Sequence, residues 1–212
     1  RESRVMPQLP IRDEPPTIKG RHHETRARGL RQFAGLTRDE QPLDPFELAK
    51  YAKLFVAPFE AVEGLSNEAR AHLLGPGSEM WSGGAASIPL PDGKKLIILN
   101  PKHSPLRQRA TLMEEISHVF LGHKPSRLAI EQKGIDGKTR ARDYNAAIEE
   151  EAYGTGAAAL VPYAGLKQLI EKGKTAAEIA KHYGVSRPLV EYRIKVSRLW
   201  STYSENIFRA SK

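Results

Sequence analysis

A predominantly helical α+β fold with a small antiparallel sheet is what this sequence predicts. Three observations carry that expectation. Apolar residues recur at helical spacing behind good capping residues in several segments. A single stretch, Ala86–Leu90, Pro91-Asp92-Gly93, Lys95–Asn100, reads as a β-hairpin with an Asp-Gly turn. The C-terminal portion, from about Gly165, is helical throughout and contains TAAEIAKHYGVSRPLVEYRI, a helix-turn-helix pattern.

Residues 1–42 are expected to form a basic, flexible arm. RDEPPTIKGRHHETRARGLRQF mixes arginine, histidine and a Pro-Pro pair with few apolar residues, too little surface to offset the entropy of ordering. Its Arg26, Arg28 and Arg31 are candidates for DNA or an acidic partner. Order should begin at DPFELAKYAKLF, where Asp44 is the N-cap, Pro45 opens the helix and Leu48, Tyr51, Ala52 and Leu54-Phe55 follow its period. A second short helix runs from Asn67 to Leu74 and stops at Gly75-Pro76-Gly77. The apolar LIIL run is an inner strand that ends at Asn100-Pro101, and a helix follows from Pro105 to Leu121.

After His123, the glycines at 134 and 137 mark a polar hairpin or loop. An alanine-rich helix then runs from about Tyr144 to Val161-Pro162. The division that results is an arm over 1–42, a core over 43–164 and a C-terminal helical part over 165–212 packed on it.

Composition narrows the function classes. Lysine and arginine number 33 against 25 acidic residues, a formal charge of +8, which favours acidic partners and nucleic acid first. With no cysteine, thiolate metal sites, disulfides and cysteine nucleophiles are excluded. No apolar run approaches membrane-spanning length, and a cytoplasmic setting is expected.

The segment TLMEEISHVFLGH carries the chemistry. Glu114 and His118 lie four apart and share one helix face, with Glu115 a third of a turn away, while Leu112, Ile116, Val119 and Phe120 take the other faces. Two side chains so placed can grip a metal ion while the neighbouring carboxylate reaches the attacking water. Taken alone, E-E-x-x-H is a common accident of charged helices. What gives it weight is the later helix with Glu149-Glu150-Glu151 ahead of Ala152, Gly154, Gly156, Ala157, Ala158 and Ala159. So small a surface admits another helix closely, and a glycine inside a helix costs roughly 0.5–1 kcal/mol against alanine, which implies a packing need. Periodicity does not choose among the three glutamates. Gly122 should end the first helix, leaving His123 either as a substitute ligand or as a cap on the helix C-terminus.

RQRATLMEEISHVFLGH followed by EEEAYGTGAAALVP resembles the ImmA/IrrE metallopeptidases, zinc-dependent enzymes that cleave transcriptional repressors. The resemblance runs from about Asp44 to Trp200. It implies a zincin-like metallopeptidase core, a helix-turn-helix-like C-terminal part and a repressor-like protein substrate. In that family R-x-x-x-T-x-x-H-E-x-x-H gives two histidine ligands and a glutamate base, and a later E-x-x-A-N helix gives the third ligand. By correspondence His118 is a metal ligand, Glu115 the general base and Glu149 the third ligand, counted back from Pro162. Glu114 stands where the first histidine belongs, Tyr153 at the asparagine and Thr155 where phenylalanine is frequent. Carboxylate oxygen reaches zinc at about 2.0–2.2 Å, so distance is no obstacle. Two carboxylates and one imidazole neutralise a divalent ion, which predicts weaker polarisation of water and a shift from zinc toward manganese. Tyr144, Tyr153 and His182 are candidates for stabilising an oxyanion.

In the C-terminal pattern, Ala176–His182 is the first helix, Gly184 the turn and Ser186 the cap of the second, with Val185, Leu189 and Val190 inward. Arg187, Arg193 and Lys195 are its candidate phosphate contacts, and a packing role for these helices is the favoured alternative. Two functions are therefore carried forward: a metal-dependent endopeptidase acting on a regulatory protein, and a catalytically degenerate relative that binds DNA or protein.

Overall fold

The computed structural model describes residues 13–86, 89–123 and 146–210. Its element order begins with α1 (Ile18–Phe33), α2 (Pro45–Tyr51), β1 (Leu54–Ala57), a 3-10 turn at Phe59–Ala61 and α3 (Asn67–Leu74). A second 3-10 turn at Ser78–Met80, β2 (Gly83–Ala85), β3 (Lys95–Leu99) and α4 (Pro105–Phe120) follow. The remainder is α5 (Ala146–Leu160), α6 (Tyr163–Glu171), α7 (Ala176–Tyr183), α8 (Arg187–Val196) and α9 (Trp200–Ala210). The fold is α+β, predominantly helical and zincin-like. The loop expected around Gly134 and Gly137 lies outside the described residues.

Capping chemistry sets most of the boundaries. Asp44, Ser66, Ser104, Thr175 and Ser186 each accept a backbone N–H from the first turn of the helix that follows. At Thr175 the Glu178 carboxylate reaches back to the cap backbone, completing a capping box. Gly184 takes φ 63° between α7 and α8, the left-handed turn expected of it. Val185, Leu189 and Val190 are buried there, as their spacing predicted.

The sheet is mixed rather than purely antiparallel. Its order is β1-β3-β2, with β1 parallel to β3 and β2 antiparallel to it. β1 comes from residues whose spacing suited a continuing helix: α2 stops at Tyr51, Lys53 takes φ 54°, and Leu54–Ala57 turns into a strand. A short apolar run serves either structure, and here pairing with the buried Ile97 strand decides. The hairpin partner expected over Ala86–Leu90 is instead Gly83–Ala85, missed because glycines carry little strand signal, and residues 87–88 lie outside the described residues.

The larger correction concerns the arm. Ile18–Phe33 is not a flexible tail but a helix capped by Thr17, with His23, Glu24, Ala27, Leu30 and Arg31 buried. Few apolar residues suffice because the buried polar ones are satisfied. Arg31 donates to the carbonyls of Ala159, Arg38 and Gln41, and Glu24 is paired with Arg193. Arg28 faces Glu14 and Arg26 faces Glu151, so the arginines expected to await an outside partner are engaged inside the chain.

α5 is the central helix. From Ala152 to Leu160 every residue but Tyr153 is buried, leaving no polar face. Its two glycines serve two neighbours. A methyl at Gly154 would collide with the His23 ring of α1, and one at Gly156 would sit 3.1 Å from Ser117 Oγ and 3.2 Å from Met113 O of α4. The small-residue pattern thus brings α4 and α1 both hard against α5. Among the described residues no helix is long and apolar enough to cross a membrane.

Candidate metal centre

α4 presents the first part of the site. Leu112, Met113, Ile116 and Ser117 are buried toward the core, and Ser117 Oγ donates to Met113 O at 2.8 Å. That anchoring leaves Glu114 and His118, one turn apart, on the face that α5 approaches. From α5, Glu149 completes the group: Glu114, His118 and Glu149 each offer a ligand atom, all within 4.8 Å of one another. His118 Nε2 lies 3.4 Å from Glu149 Oε2.

The electrostatics follow from this crowding. Burial, and then the like charges of Glu115 and Glu149, push the Glu114 carboxyl up to about 7. Burial lowers the pKa of His118; Glu149 pulls it back toward the charged form, and His123 opposes that. Negative charge is thus concentrated in a half-buried site beside a neutral-leaning imidazole. A divalent cation would relieve the repulsion and use every donor, so the residues present fit a metal ion.

A cleft of about 470 Å³ lies beside this site and meets it at Glu114. One face of α4 supplies Arg107, Ala110, Thr111 and Glu114, α5 supplies Tyr153, and Ser82 lies at the entry to β2. The far wall is Ser186, Pro188 and Leu189, at the start of α8. The C-terminal helices therefore help to enclose the cleft.

Of the residues singled out from the sequence, Glu114, His118 and Glu149 come together, and Glu115 is near enough for its charge to act on Glu114. His123 does not join the three. Its Nδ1 lies 3.1 Å from His118 Nδ1, on the side of that ring away from the Nε2 that meets Glu149, and its Nε2 lies 3.0 Å from Glu151 Oε2. Its backbone N–H closes the helix end on His118 O, while its ring is engaged by His118 and Glu151 rather than by the last carbonyls of the helix. Tyr153 lines the cleft, whereas His182 Nε2 is bound to Glu40 O at 2.7 Å and Tyr144 lies outside the described residues.

Arg193 is corrected outright as a nucleic-acid contact. It is 2% exposed, donates from Nε to Val161 O at 2.9 Å and is paired with Glu24, so it cannot reach phosphate. The sequence hinted at this, since an apolar residue is usual at its position. Arg187 is exposed and bound to Glu191, and Lys195 stands 5.6 Å above the Trp200 ring. Sequence reasoning named Arg26 and Glu151 but did not bring them together beside His123, and it did not find the α8 wall. Nothing local marks these contacts, because each acts across elements distant in the chain.

A helix-borne glutamate and histidine joined by a glutamate from a second helix, in a mostly helical fold with a small sheet, are the features of a metallopeptidase-like domain. Residues 80–195 match the family model of peptidase M78, the IrrE N-terminal-like domain. The match takes in more than half of the chain, and the chain belongs to this family. None of the curated proteins is similar enough to count as a match.

Proposed function

We propose that this protein is a metal-dependent endopeptidase that hydrolyses a peptide bond in a regulatory, repressor-like protein, in a cytoplasmic setting. The observation that carries the reading is the convergence of Glu114, His118 and Glu149 from two helices, with Glu114 also lining a cleft. These three side chains would hold the ion, zinc by family and manganese as the harder alternative that carboxylates favour. The ion's contribution is Lewis-acid polarisation of the scissile carbonyl and the attacking water.

The chain's own residues do the rest. Glu115 takes the proton from the attacking water and returns it to the leaving amine. Tyr153, half-buried with its phenol pKa raised by burial, stays protonated and offers an O–H toward developing negative charge in the cleft. β2 is an edge strand of the sheet, with Ser82 before it on the cleft wall, and an extended substrate would add to that edge. Arg107 Nη2 donates to Ser82 Oγ at 3.2 Å and steadies the rim.

The catalytically degenerate alternative keeps one observation in its favour, the carboxylate of Glu114 in place of an imidazole. Its DNA-binding form is weakened by the internal pairing of Arg26, Arg28 and Arg193. Elemental analysis of protein purified without chelator separates the two. About one equivalent of zinc or manganese is expected, and its loss in Glu149→Ala. Protein that takes up neither ion when they are supplied ends the peptidase reading.

A further inference from the structure

Behind His118 runs a chain of polar contacts that the reaction does not require. Arg26 of α1 meets Glu151 Oε1 at 2.5 Å. Glu151 Oε2 meets His123 Nε2 at 3.0 Å, and His123 Nδ1 meets His118 Nδ1 at 3.1 Å. The chain ends at His118 Nε2, which faces Glu149. His123 is 10% exposed and His118 19%, so water competes little for these nitrogens.

We propose that Glu151 and His123, held by Arg26, are positioning residues that lock His118 in the tautomer whose Nε2 lone pair is free for a metal ion. This rests on the metal-site reading above. An ionised carboxylate only accepts, so Glu151 requires the proton of His123 on Nε2. Neutral His123 then has its lone pair on Nδ1, and at 3.1 Å the partner nitrogen must be the donor. That places the His118 proton on Nδ1 and leaves Nε2 with its lone pair toward Glu114 and Glu149. The opposite assignment sets the His123 Nε2 lone pair against the Glu151 carboxylate at 3.0 Å, acceptor facing acceptor. In the metal-free chain either neutral arrangement leaves one acceptor pair, His118 Nε2 against Glu149 Oε2 at 3.4 Å or His123 Nε2 against Glu151 Oε2 at 3.0 Å, and the first is both the longer contact and the one that a cation between the two atoms removes.

Two features set the relay apart from incidental surface pairing. It draws on three separate parts of the chain, α1, the turn just after α4, and α5. And Arg26 lies outside the span 80–195 that matches the family, so the N-terminal helix supports the site through a residue the family match does not cover. Outer partners that orient a ligating histidine typically affect metal affinity by about 10–100-fold.

The test is made on the full chain at pH 8, free of metal, by long-range ¹H–¹⁵N correlation of the histidine rings. His118 is expected with its proton on Nδ1 and His123 with its proton on Nε2. Zinc titration of Glu151→Leu and His123→Leu should then show affinity lowered by about 10–100-fold. Glu151→Gln, whose amide oxygen still accepts from Nε2–H, should recover most of it, which a purely structural role does not predict. A His118 ring protonated on Nε2, or equal zinc affinity in wild type and Glu151→Leu, overturns the proposal. Failure of the wild type to bind zinc at all would count against the peptidase reading, while the ring tautomers would still decide the relay.

Discussion

Two clusters of partly buried charge sit within this small protein, and they are built on opposite plans. Glu24 and Arg193 form a closed pair, 9% and 3% exposed in their side chains. Arg193 also donates to Val161 O, and Glu24 Oε2 accepts the Tyr163 N–H at 3.2 Å. One charge of each sign is used up there, on a joint between α1, the α5–α6 corner and α8. Around His118, by contrast, Glu114 is pressed against like charges and lines a cleft. The first plan fixes helices. The second holds electrostatic strain that a bound cation would release, in keeping with the proposed metal site.

The largest effect should follow from Glu115→Gln. It keeps the shape of the helix and the three proposed ligand side chains but removes the proposed proton acceptor. Peptide hydrolysis should fall by roughly 10²–10⁴-fold while zinc uptake is unchanged. A variant as active as wild type would remove Glu115 from the mechanism.

Arg193→Met breaks the closed cluster instead. It leaves Glu24 buried without its counter-charge, a change that typically costs about 3–5 kcal/mol. For a chain of this size the thermal midpoint should drop by roughly 10 °C or more. Removing both partners, as Glu24→Gln with Arg193→Met, should recover part of that loss. The contrast with the site is direct, because substitution of Glu114 should raise stability in metal-free protein.

That expectation has a defined pH dependence. Glu114 is pushed from an ordinary 4.5 up to about 7, so between those values the folded chain holds a proton that the unfolded chain has released. Its contribution to stability therefore falls as pH rises from 4.5 to 7, by an amount on the order of 3 kcal/mol, and stays lost above that. His118 acts in the opposite sense. Its lowered folded pKa makes stability rise with pH on the approach to 6.5. Comparing the thermal midpoints of chelator-treated wild type and Glu114→Gln from pH 4.5 to 8 isolates the glutamate, and the variant should gain relative stability as pH rises. Parallel curves would contradict the crowding of charge at the site.

The same contrast explains what the sequence made legible. α4, α5 and the α7–Gly184–α8 pair could be read because caps, periodicity and small residues are local signals, and a glutamate of α5 could be expected near His118 once α5 was seen to admit a close neighbour, but only the family resemblance, counted back from Pro162, chose Glu149 among the three. The buried role of α1 was not legible. Its polar composition looks like a solvated tail until Arg31 meets the Ala159 carbonyl and Glu24 meets Arg193, contacts that span well over a hundred residues. Gly154 was read as a packing residue, but its neighbour, His23 of α1, lay in the segment taken for a tail. β1 was missed for a different reason, since four apolar residues carry no period of their own.

The smallest effects belong to the exposed cations of α8, and they bear on the alternative function. Arg187 is held by an exposed i,i+4 pair with Glu191 at 2.7 Å, and Lys195 by its stance over Trp200. Alanine at either position should alter stability by no more than about 0.5 kcal/mol. If α8 served a nucleic-acid groove, each lost phosphate contact would weaken duplex binding and reduce its salt dependence by about one counterion. The geometry argues for no such change. The first turn of α8, the part that would enter a groove, gives Ser186, Pro188 and Leu189 to the wall of the cleft, and the third candidate cation, Arg193, is buried. Salt-dependent duplex binding that weakens in Arg187→Ala and Lys195→Ala, and that survives chelator, would reverse this assignment and make α8 a second working surface.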